Sequence, residues 1–184
     1  MFWNKSSTNT NQTEQLALRL QKAGFNAQFK PASLDDSIES VIVGLPSDEQ
    51  KFVTFVKLSF ASTAYQAMKK MGDPDLESNQ DIFDEFDHLQ FYAPLNIKID
   101  SSHLQDVAQL NEKLNGSLPL IGFNLGQFKD VTLAFRHLML MEQNKVNLKL
   151  VQRTIDLIYF LINEYAPKIE AVATGQTKPD DLDF

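Results

Sequence analysis

The 184-residue sequence has no cysteine, one tryptophan and only seven glycines and seven prolines. Without cysteine it can form no disulfide, thiolate zinc site or cysteine nucleophile, and we expect a reducing, cytoplasmic compartment. No uninterrupted apolar run approaches the roughly eighteen residues of a membrane helix. Residues 1–12 also lack the apolar segment of a secretory signal. We therefore expect no membrane association.

An excess of positive charge is also missing, because the net charge is −7. Seven acids and no base lie within residues 73–87, which leaves 17 acids and 17 bases elsewhere. Binding to nucleic acid needs a basic stripe that displaces counterions from phosphates. The sequence therefore argues against a nucleic-acid partner and predicts an acidic, solvated loop at 73–87.

This acidic segment has an alternative interpretation as a calcium loop. Its oxygen-bearing side chains follow the ligand spacing of an EF-hand: Asp73, Asp75, Glu77, Asn79, Asp81 and Asp84. However, Ser78 occupies the position that requires glycine, Pro74 follows the first ligand, and no clear helices flank the segment. A mobile loop is the favoured interpretation, and we predict no metal and no cofactor.

Catalytic motifs are absent from the sequence. There is no Gly-x-Ser-x-Gly, no phosphate-binding loop and no carboxylate pair of suitable spacing. The three histidines, His88, His103 and His137, are scattered, and neither His103 nor His137 has a second ligand at i+2 or i+4. We therefore expect structural histidines, no catalytic residue and a protein that is not an enzyme.

A long amphipathic helix near the end of the chain, at about 148–172, organises the predicted fold. Its apolar residues repeat with gaps of four and three: Val151, Ile155, Ile158, Ile162, Tyr165, Ile169 and Val172. A second row, Leu150, Leu157 and Leu161, widens this stripe. We expect both rows to be covered by a sheet.

The other segments predict a two-layer α+β domain at 13–173. A helix at 13–23, ended by Gly24, is followed by strands at 25–29, 38–45, 51–60 and 88–99, a helix at 102–116, and strands at 119–125 and 131–141. Residues 61–72 could form a further short helix. The predicted order is α-β-β-β-(β)-α-β-β-α, an antiparallel sheet flanked by three helices. We expect a disordered leader at 1–12 and a disordered tail at 174–184.

The predicted strand at 131–141 is apolar on both faces at its far end. His137, Met139 and Met141 alternate with Leu138 and Leu140. A strand of this kind is covered on both faces, by its own chain or by a partner. Arg136, which precedes these leucines, has two interpretations: an ion pair with a helix carboxylate, or an anchor for a ligand or peptide carboxylate.

The second half of the chain resembles YbjN-like proteins, in particular an uncharacterised cyanobacterial branch. The resemblance covers about 88–172 and rests on LQFYAPL at 89–95, LNEKLN at 110–115, LPLIGF at 118–123, FRH at 135–137 and APKIE at 166–170. These proteins are similar in fold to type III secretion chaperones, so the resemblance implies a twisted antiparallel sheet with three helices and a dimer. It implies binding or regulation and supplies no catalytic residues.

Two functional hypotheses follow from these patterns. The first is a non-enzymatic protein-interaction module, chaperone-like or regulatory, that forms a homodimer and binds a protein partner. Its predicted partner-binding surface consists of Arg136, Leu138, Leu140 and Phe91. The second hypothesis is a small-molecule-binding or enzymatic domain with a pocket near Arg136 and His137.

Overall fold

The computed structural model describes residues 11–34, 36–45, 51–70, 85–118, 122–128, 130–142 and 145–182. Within these ranges the chain forms four α-helices: α1 (Gln12–Lys22), α2 (Ala61–Lys70), α3 (Leu104–Ser117) and α4 (Leu148–Ala173). It also forms six strands: β1 (Asn26–Lys30), β2 (Ser40–Gly44), β3 (Phe55–Phe60), β4 (Phe86–Pro94), β5 (Gly122–Phe128) and β6 (Asp130–Glu142). Two short 3₁₀ turns lie at Ser101–His103 and Pro179–Asp181.

The six strands form one antiparallel sheet in the order β1-β2-β3-β4-β6-β5. The predicted α+β class and antiparallel sheet are therefore confirmed. The predicted order has three helices and differs from the structure, because the segment at 61–72, where the sequence allowed a further short helix, contains α2. The similarity in fold to type III secretion chaperones stays a prediction.

Helices cover one face of the sheet. Alternate strand residues on this face are buried: Val41 and Val43 of β2, Val56, Leu58 and Phe60 of β3, Leu89, Phe91 and Ala93 of β4, and Leu133, Phe135, Met139 and Met141 of β6. They share one core with Leu16 and Leu20 of α1, with Val107, Leu110 and Leu114 of α3, and with the inner face of α4. The buried residues thus repeat every two positions along the strands and about every 3.6 positions along the helices.

Helix α4 begins just after β6 ends, and its last residue accepts a hydrogen bond from Asp100, which follows β4. It therefore runs back across the sheet, antiparallel to β6. The predicted inner stripe is buried at Val151, Ile155, Ile158, Ile162, Ile169 and Val172, and half-buried at Tyr165. The second row is only partly covered: Leu161 is buried, but Leu150 and Leu157 are 48% and 42% exposed.

Strand β4 begins inside the predicted acidic loop at 73–87. Asp87 belongs to β4, and its carboxylate is buried on the helix-covered face. It accepts hydrogen bonds from the N–H and the hydroxyl of Ser62 in the first turn of α2, and from the N–H of His88 at 2.7 Å. The last residues of the predicted loop therefore anchor α2 to the sheet. The proposed calcium ligands at 73–84 lie outside the described residues.

The predicted disordered ends are partly replaced by packed structure. Asn11 caps α1 by accepting a hydrogen bond from the Thr13 N–H, so the leader ends before residue 11, and residues 1–10 lie outside the described ranges. The tail at 174–182 folds back on α3, with Pro179 buried and Asp180 2.5 Å from Lys113. The apolar residues Pro179 and Leu182 provide a packing surface that offsets the entropy of ordering this tail.

None of the helices in the described ranges is long and apolar enough to span a membrane.

We predict that Asp87→Ala destabilises the protein by about 2–3 kcal/mol, because it removes a charged acceptor and leaves the Ser62 groups unpaired near the core. Asp87→Asn keeps one carbonyl acceptor and should cost less. Urea unfolding followed by circular dichroism measures both free energies. Asp156→Ala, on the exposed side of α4, is the control and should change stability by less than about 0.5 kcal/mol. Equal stability of Asp87→Ala and this control would refute the anchoring role.

Candidate functional site

The sheet face opposite the helices carries the residues predicted to bind a partner. Strand register places Lys57 beside Tyr92, Tyr92 beside Arg136, and Arg136 beside Gly122. A second row brings Gln90 beside Leu138, and a third brings His88 beside Leu140. We call these strand positions the open face. No helix in the described parts of the chain packs over it.

Leu138 and Leu140 are the main apolar side chains of the open face. They are 57% and 60% exposed, although the neighbouring Met139 and Met141 are buried against the helices. Residues i and i+2 of a strand lie on the same side, so the two leucines are neighbours. One face of β6 is thus covered by the helices of its own chain. The described residues leave its other face exposed.

Phe91 does not belong to this surface, so the prediction that grouped it with the leucines is wrong. It is fully buried, and it faces His137 across the β4–β6 pair with ring centroids 5.7 Å apart. Its place follows from the period of two, because Leu89, Phe91 and Ala93 all lie on the helix-covered face. The exposed aromatic side chain on β4 is instead Phe86, which pairs with Glu142 and is 46% exposed, whereas Tyr92, beside Arg136, is half-buried.

Arg136 and His137 both line one open depression, but no contact between their side chains is found in the described parts of the chain. As adjacent strand residues their side chains lie on opposite faces of the sheet, and His137 contacts Phe91 under the helices. Arg136 is exposed at the rim of an open depression of about 360 Å³ that Asn124, His137 and Leu138 also line. This depression can accept a small polar group at Arg136, but it brings no acid–base pair together.

The other histidines do not form a metal centre in the described ranges, where no group of three or more ligating side chains is found. His103 Nδ1 lies 3.4 Å from the Asp106 carboxylate, one turn along at the start of α3. His88 lies on the open face beside Leu140. The three side chains are thus in three different surroundings.

The far side of the open face, around β1 to β3, is polar. Asp36 accepts a hydrogen bond at 2.6 Å from Lys57 of β3 and lies 3.4 Å from Lys30 of β1. The hydrogen bond from Lys57 is the main cause that lowers the pKa of the Asp36 carboxyl below its usual 3.8. The loop before β2 therefore folds over this part of the sheet, and Ser40 beneath it is buried.

The backbone edges of the sheet differ in their protection. On β5, Asn115 of α3 accepts from the Phe123 N–H at 2.8 Å and donates to its carbonyl at 2.7 Å. Gly122 makes room for this side chain, since a Cβ there would lie 2.7 Å from Asn115 Oδ1. On β1, Gln21 of α1 donates to the Ala27 carbonyl at 2.7 Å. Both outermost strands thus carry a side-chain amide from a helix.

Strand β6 extends beyond the described part of β5. The last pair between them is Gly122 with Arg136, and β6 continues to Glu142 with β4 as its only strand partner among the described residues. In the described ranges, no helix side chain hydrogen-bonds the backbone at 138–142.

Helix α4 also has exposed apolar side chains, two of which, Leu150 and Leu157, the sequence analysis expected to be covered. Leu150, Leu157 and Phe160 are 48%, 42% and 63% exposed. Leu150 and Leu157 lie on the side of α4 away from α1, because Phe25, after α1, lies against Gln152 and Asp156.

Comparisons with protein-family models, with curated proteins and with solved structures find no match to this chain. The resemblance to YbjN-like proteins thus stays a prediction.

The Asp36–Lys57 ion pair predicts a specific pH dependence. Because the Asp36 pKa is lower in the folded chain than in the unfolded chain, the pair's stabilisation is fully present above about pH 4 and is lost as the pH falls through the lowered pKa. We expect the unfolding free energy of Lys57→Met to fall less steeply below pH 4 than that of the wild type.

Urea unfolding at a series of pH values between 2 and 6 measures this difference. Lys51→Met is the matched control, since the Lys51–Glu170 pair is more exposed and contributes less. Parallel pH profiles for Lys57→Met and the wild type would contradict the assignment.

Proposed function

We propose that this chain is a non-enzymatic protein-interaction module, chaperone-like or regulatory in role, that acts in the cytoplasm and also associates with itself. The single observation that carries this proposal is the exposure of Leu138 and Leu140 on a sheet face that no helix covers. A contiguous apolar patch of this kind on a folded domain is typical of an interaction site.

The residues around the leucines support a protein partner. Tyr92 and Arg136 lie side by side at one end of the leucine row, and tyrosine and arginine are enriched at energetically important interface positions. Gln90, beside Leu138, adds a hydrogen-bonding group. An apolar centre with a polar rim is the usual anatomy of a protein interface.

The proposed family points the same way. The segments at 89–95, 110–115 and 135–137 that carry the resemblance to YbjN-like proteins lie on β4, α3 and β6. Membership of that family would imply binding or regulation. The family, the partner and the self-association are all parts of the proposal.

A second candidate function is small-molecule binding, and the depression at Arg136 is the observation that favours it. The guanidinium is exposed there and can hold a carboxylate through two parallel hydrogen bonds. His137 also lines this depression, but as the neighbour of Arg136 on one strand its side chain lies on the opposite face, which argues against an enzymatic version of this candidate. The depression is also wide open, whereas small-molecule sites enclose most of the ligand.

We predict that the double variant Leu138→Ser/Leu140→Ser loses the proteins that the wild-type chain retains in affinity purification from the native cells. Burial of each half-exposed leucine is worth about 1–2 kcal/mol, so affinity should fall roughly tenfold per residue. Leu34→Ser is the matched control, because Leu34 is fully exposed in the loop before β2, which lies three strands from β6 in the sheet. Quantitative mass spectrometry compares the three samples.

Retention of the same proteins by the double variant and by the control would refute the proposed interaction surface. Circular dichroism of each variant shows whether the fold is intact. Exposed leucines contribute little to stability, so we expect unfolding free energies within about 0.5 kcal/mol of the wild type.

The second candidate predicts that simple dicarboxylates raise the melting temperature of the wild-type chain and that Arg136→Gln abolishes this shift. The reason is that the guanidinium fork is the charged group at the depression. Arg153→Gln is the control, since Arg153 is exposed on α4 and lies 3.8 Å from Asp156. An unchanged melting temperature at millimolar dicarboxylate would exclude this candidate.

A further inference from the structure

The tail at 174–182 leaves α4 through a turn that directs it onto α3. The Gln176 N–H donates to the Ala171 carbonyl at 2.8 Å. The Gly175 N–H donates to the Val172 carbonyl at 3.0 Å, which completes a Schellman motif. Gly175 has a φ of +72°, the left-handed conformation that this motif requires. The direction of the tail is therefore built into the end of α4.

The tail follows one side of α3. That side carries polar residues at gaps of three, three and four, and we call it the α3 stripe: His103, Asp106, Gln109 and Lys113. Gly175 lies against His103, since a Cβ on Gly175 would be 2.4 Å from the imidazole Nε2. Asp180 lies beside Lys113, at the far end of the stripe.

The direction and extension of the tail follow from these two contacts. Residues 103 to 113 rise about 15 Å along a helix. The five steps from Gly175 to Asp180 reach about 17 Å when the chain is extended. The tail therefore runs in the same direction as α3 and is nearly extended, as a bound peptide is.

Three positions of the tail make specific contacts. Pro179 is buried, and its carbonyl accepts a hydrogen bond from the Lys113 ammonium at 3.2 Å. The Asp180 carboxylate accepts from Lys113 at 2.5 Å and from the Gln109 amide at 3.3 Å. Leu182 packs against the hydrophobic core. A proline, the acid after it and a leucine two residues further are thus each held by a different contact.

These contacts are weak enough to be exchanged. The side chains of Asp180 and Lys113 are 75% and 38% exposed, and exposed ion pairs contribute little to stability. Helix α3 has other attachments: its opposite side is buried at Val107, Leu110 and Leu114, and Asn115 hydrogen-bonds β5. Release of the tail would therefore leave α3 in place.

We infer that the α3 stripe is a peptide-binding site, that the tail is its resident ligand, and that a segment of another protein with the pattern Pro-Asp-x-Leu displaces the tail. Lys113 offers this acidic segment a positive charge in a chain of net charge −7. The site lies on the helix side of the sheet, so it is separate from the open face and goes beyond the function proposed above. The tail acts as an autoinhibitory strap, because it covers the site until it is released.

The tether determines how often the strap is closed. A free peptide with one buried proline, one partly buried leucine and an exposed ion pair should bind with a dissociation constant of about 1 mM or somewhat lower. The short linker at 174–178 holds the tail at an effective concentration in the millimolar range. If that concentration is about ten times the dissociation constant, an external segment binds the wild type roughly tenfold more weakly than it binds an open site.

Titration of the isotope-labelled full chain with a synthetic peptide tests this inference, with nuclear magnetic resonance of the α3 amides as the readout. The peptide has the tail sequence Thr-Gly-Gln-Thr-Lys-Pro-Asp-Asp-Leu and is blocked at both ends. The release variant is Pro179→Ser/Asp180→Lys. We expect saturable shifts at Gln109 and Lys113, with a dissociation constant about tenfold lower for the release variant than for the wild type. A peptide that carries Asp180→Lys should bind several-fold more weakly.

Two further changes in the release variant separate the α3 stripe from general charge effects. Lys113→Glu should weaken peptide binding about tenfold, because it removes the donor to both the proline carbonyl and the acid. Lys149→Glu makes the same charge change at the other end of α4 and should leave the affinity unchanged. An absence of binding at about 5 mM peptide, several times the expected dissociation constant, would overturn the inference. Equal weakening by the two charge changes would do the same.

Circular dichroism shows whether the release variant is folded, and Asp180→Lys alone is a milder release variant that keeps the buried proline. If both unfold, the tail is part of the core and is not an exchangeable ligand, so the inference fails. If the peptide affinity of the wild type falls as the protein concentration rises, the tail of a second copy takes the site, which overturns the assignment to another protein. None of these variants changes the open face, so a failure here is distinct from a failure of the proposed function.

Discussion

The antiparallel pairing of β4 with β6 is the constraint on which the molecule depends. It joins the strands of the first half of the chain to those of the second, from Phe86 with Glu142 to Pro94 with Ala134. Because the side-chain period of a strand is two, a slip by one residue would turn Leu138 and Leu140 toward the helices and Met139 and Met141 toward water. Asp87, at the start of this pairing, also anchors α2.

The helices cover only one face of the sheet that this pairing creates. Helix α4 crosses this face, and the apolar stripe that one helix can bury has a limited width. Leu161 is therefore covered, while Leu150 and Leu157 are not. A second layer of helices on the open face would bury Leu138 and Leu140, but the described chain offers none. The remaining exposed apolar side chains are therefore divided between the sheet and α4.

Sequence patterns predicted the elements well where a period was repeated many times. The spacing of the apolar residues was enough to predict the buried stripe from Val151 to Val172. The alternation at 131–141 assigned Leu133 and Leu138 to opposite faces of the sheet. Three features depended on distant parts of the chain and could not be read locally. Phe91 was assigned to the binding surface because the face on which it lies was not known. Asp87 was assigned to a loop with six other acids. The tail at 174–182 has too few apolar residues for its packing to be predicted.

The two outermost strands of the sheet, β1 and β5, have protected backbones. Asn115 and Gln21 each hydrogen-bond the backbone of an outermost strand through a side-chain amide. Because Gly122 has no side chain, Asn115 can approach β5 closely. Edge protection is how monomeric sheets avoid adding further strands. A chain that protects β1 and β5 in this way, yet leaves Leu138 and Leu140 exposed, carries its uncovered apolar side chains on the open face and not along these two strands. Exposed leucines of this kind carry an aggregation risk that a charged side chain at either position would reduce.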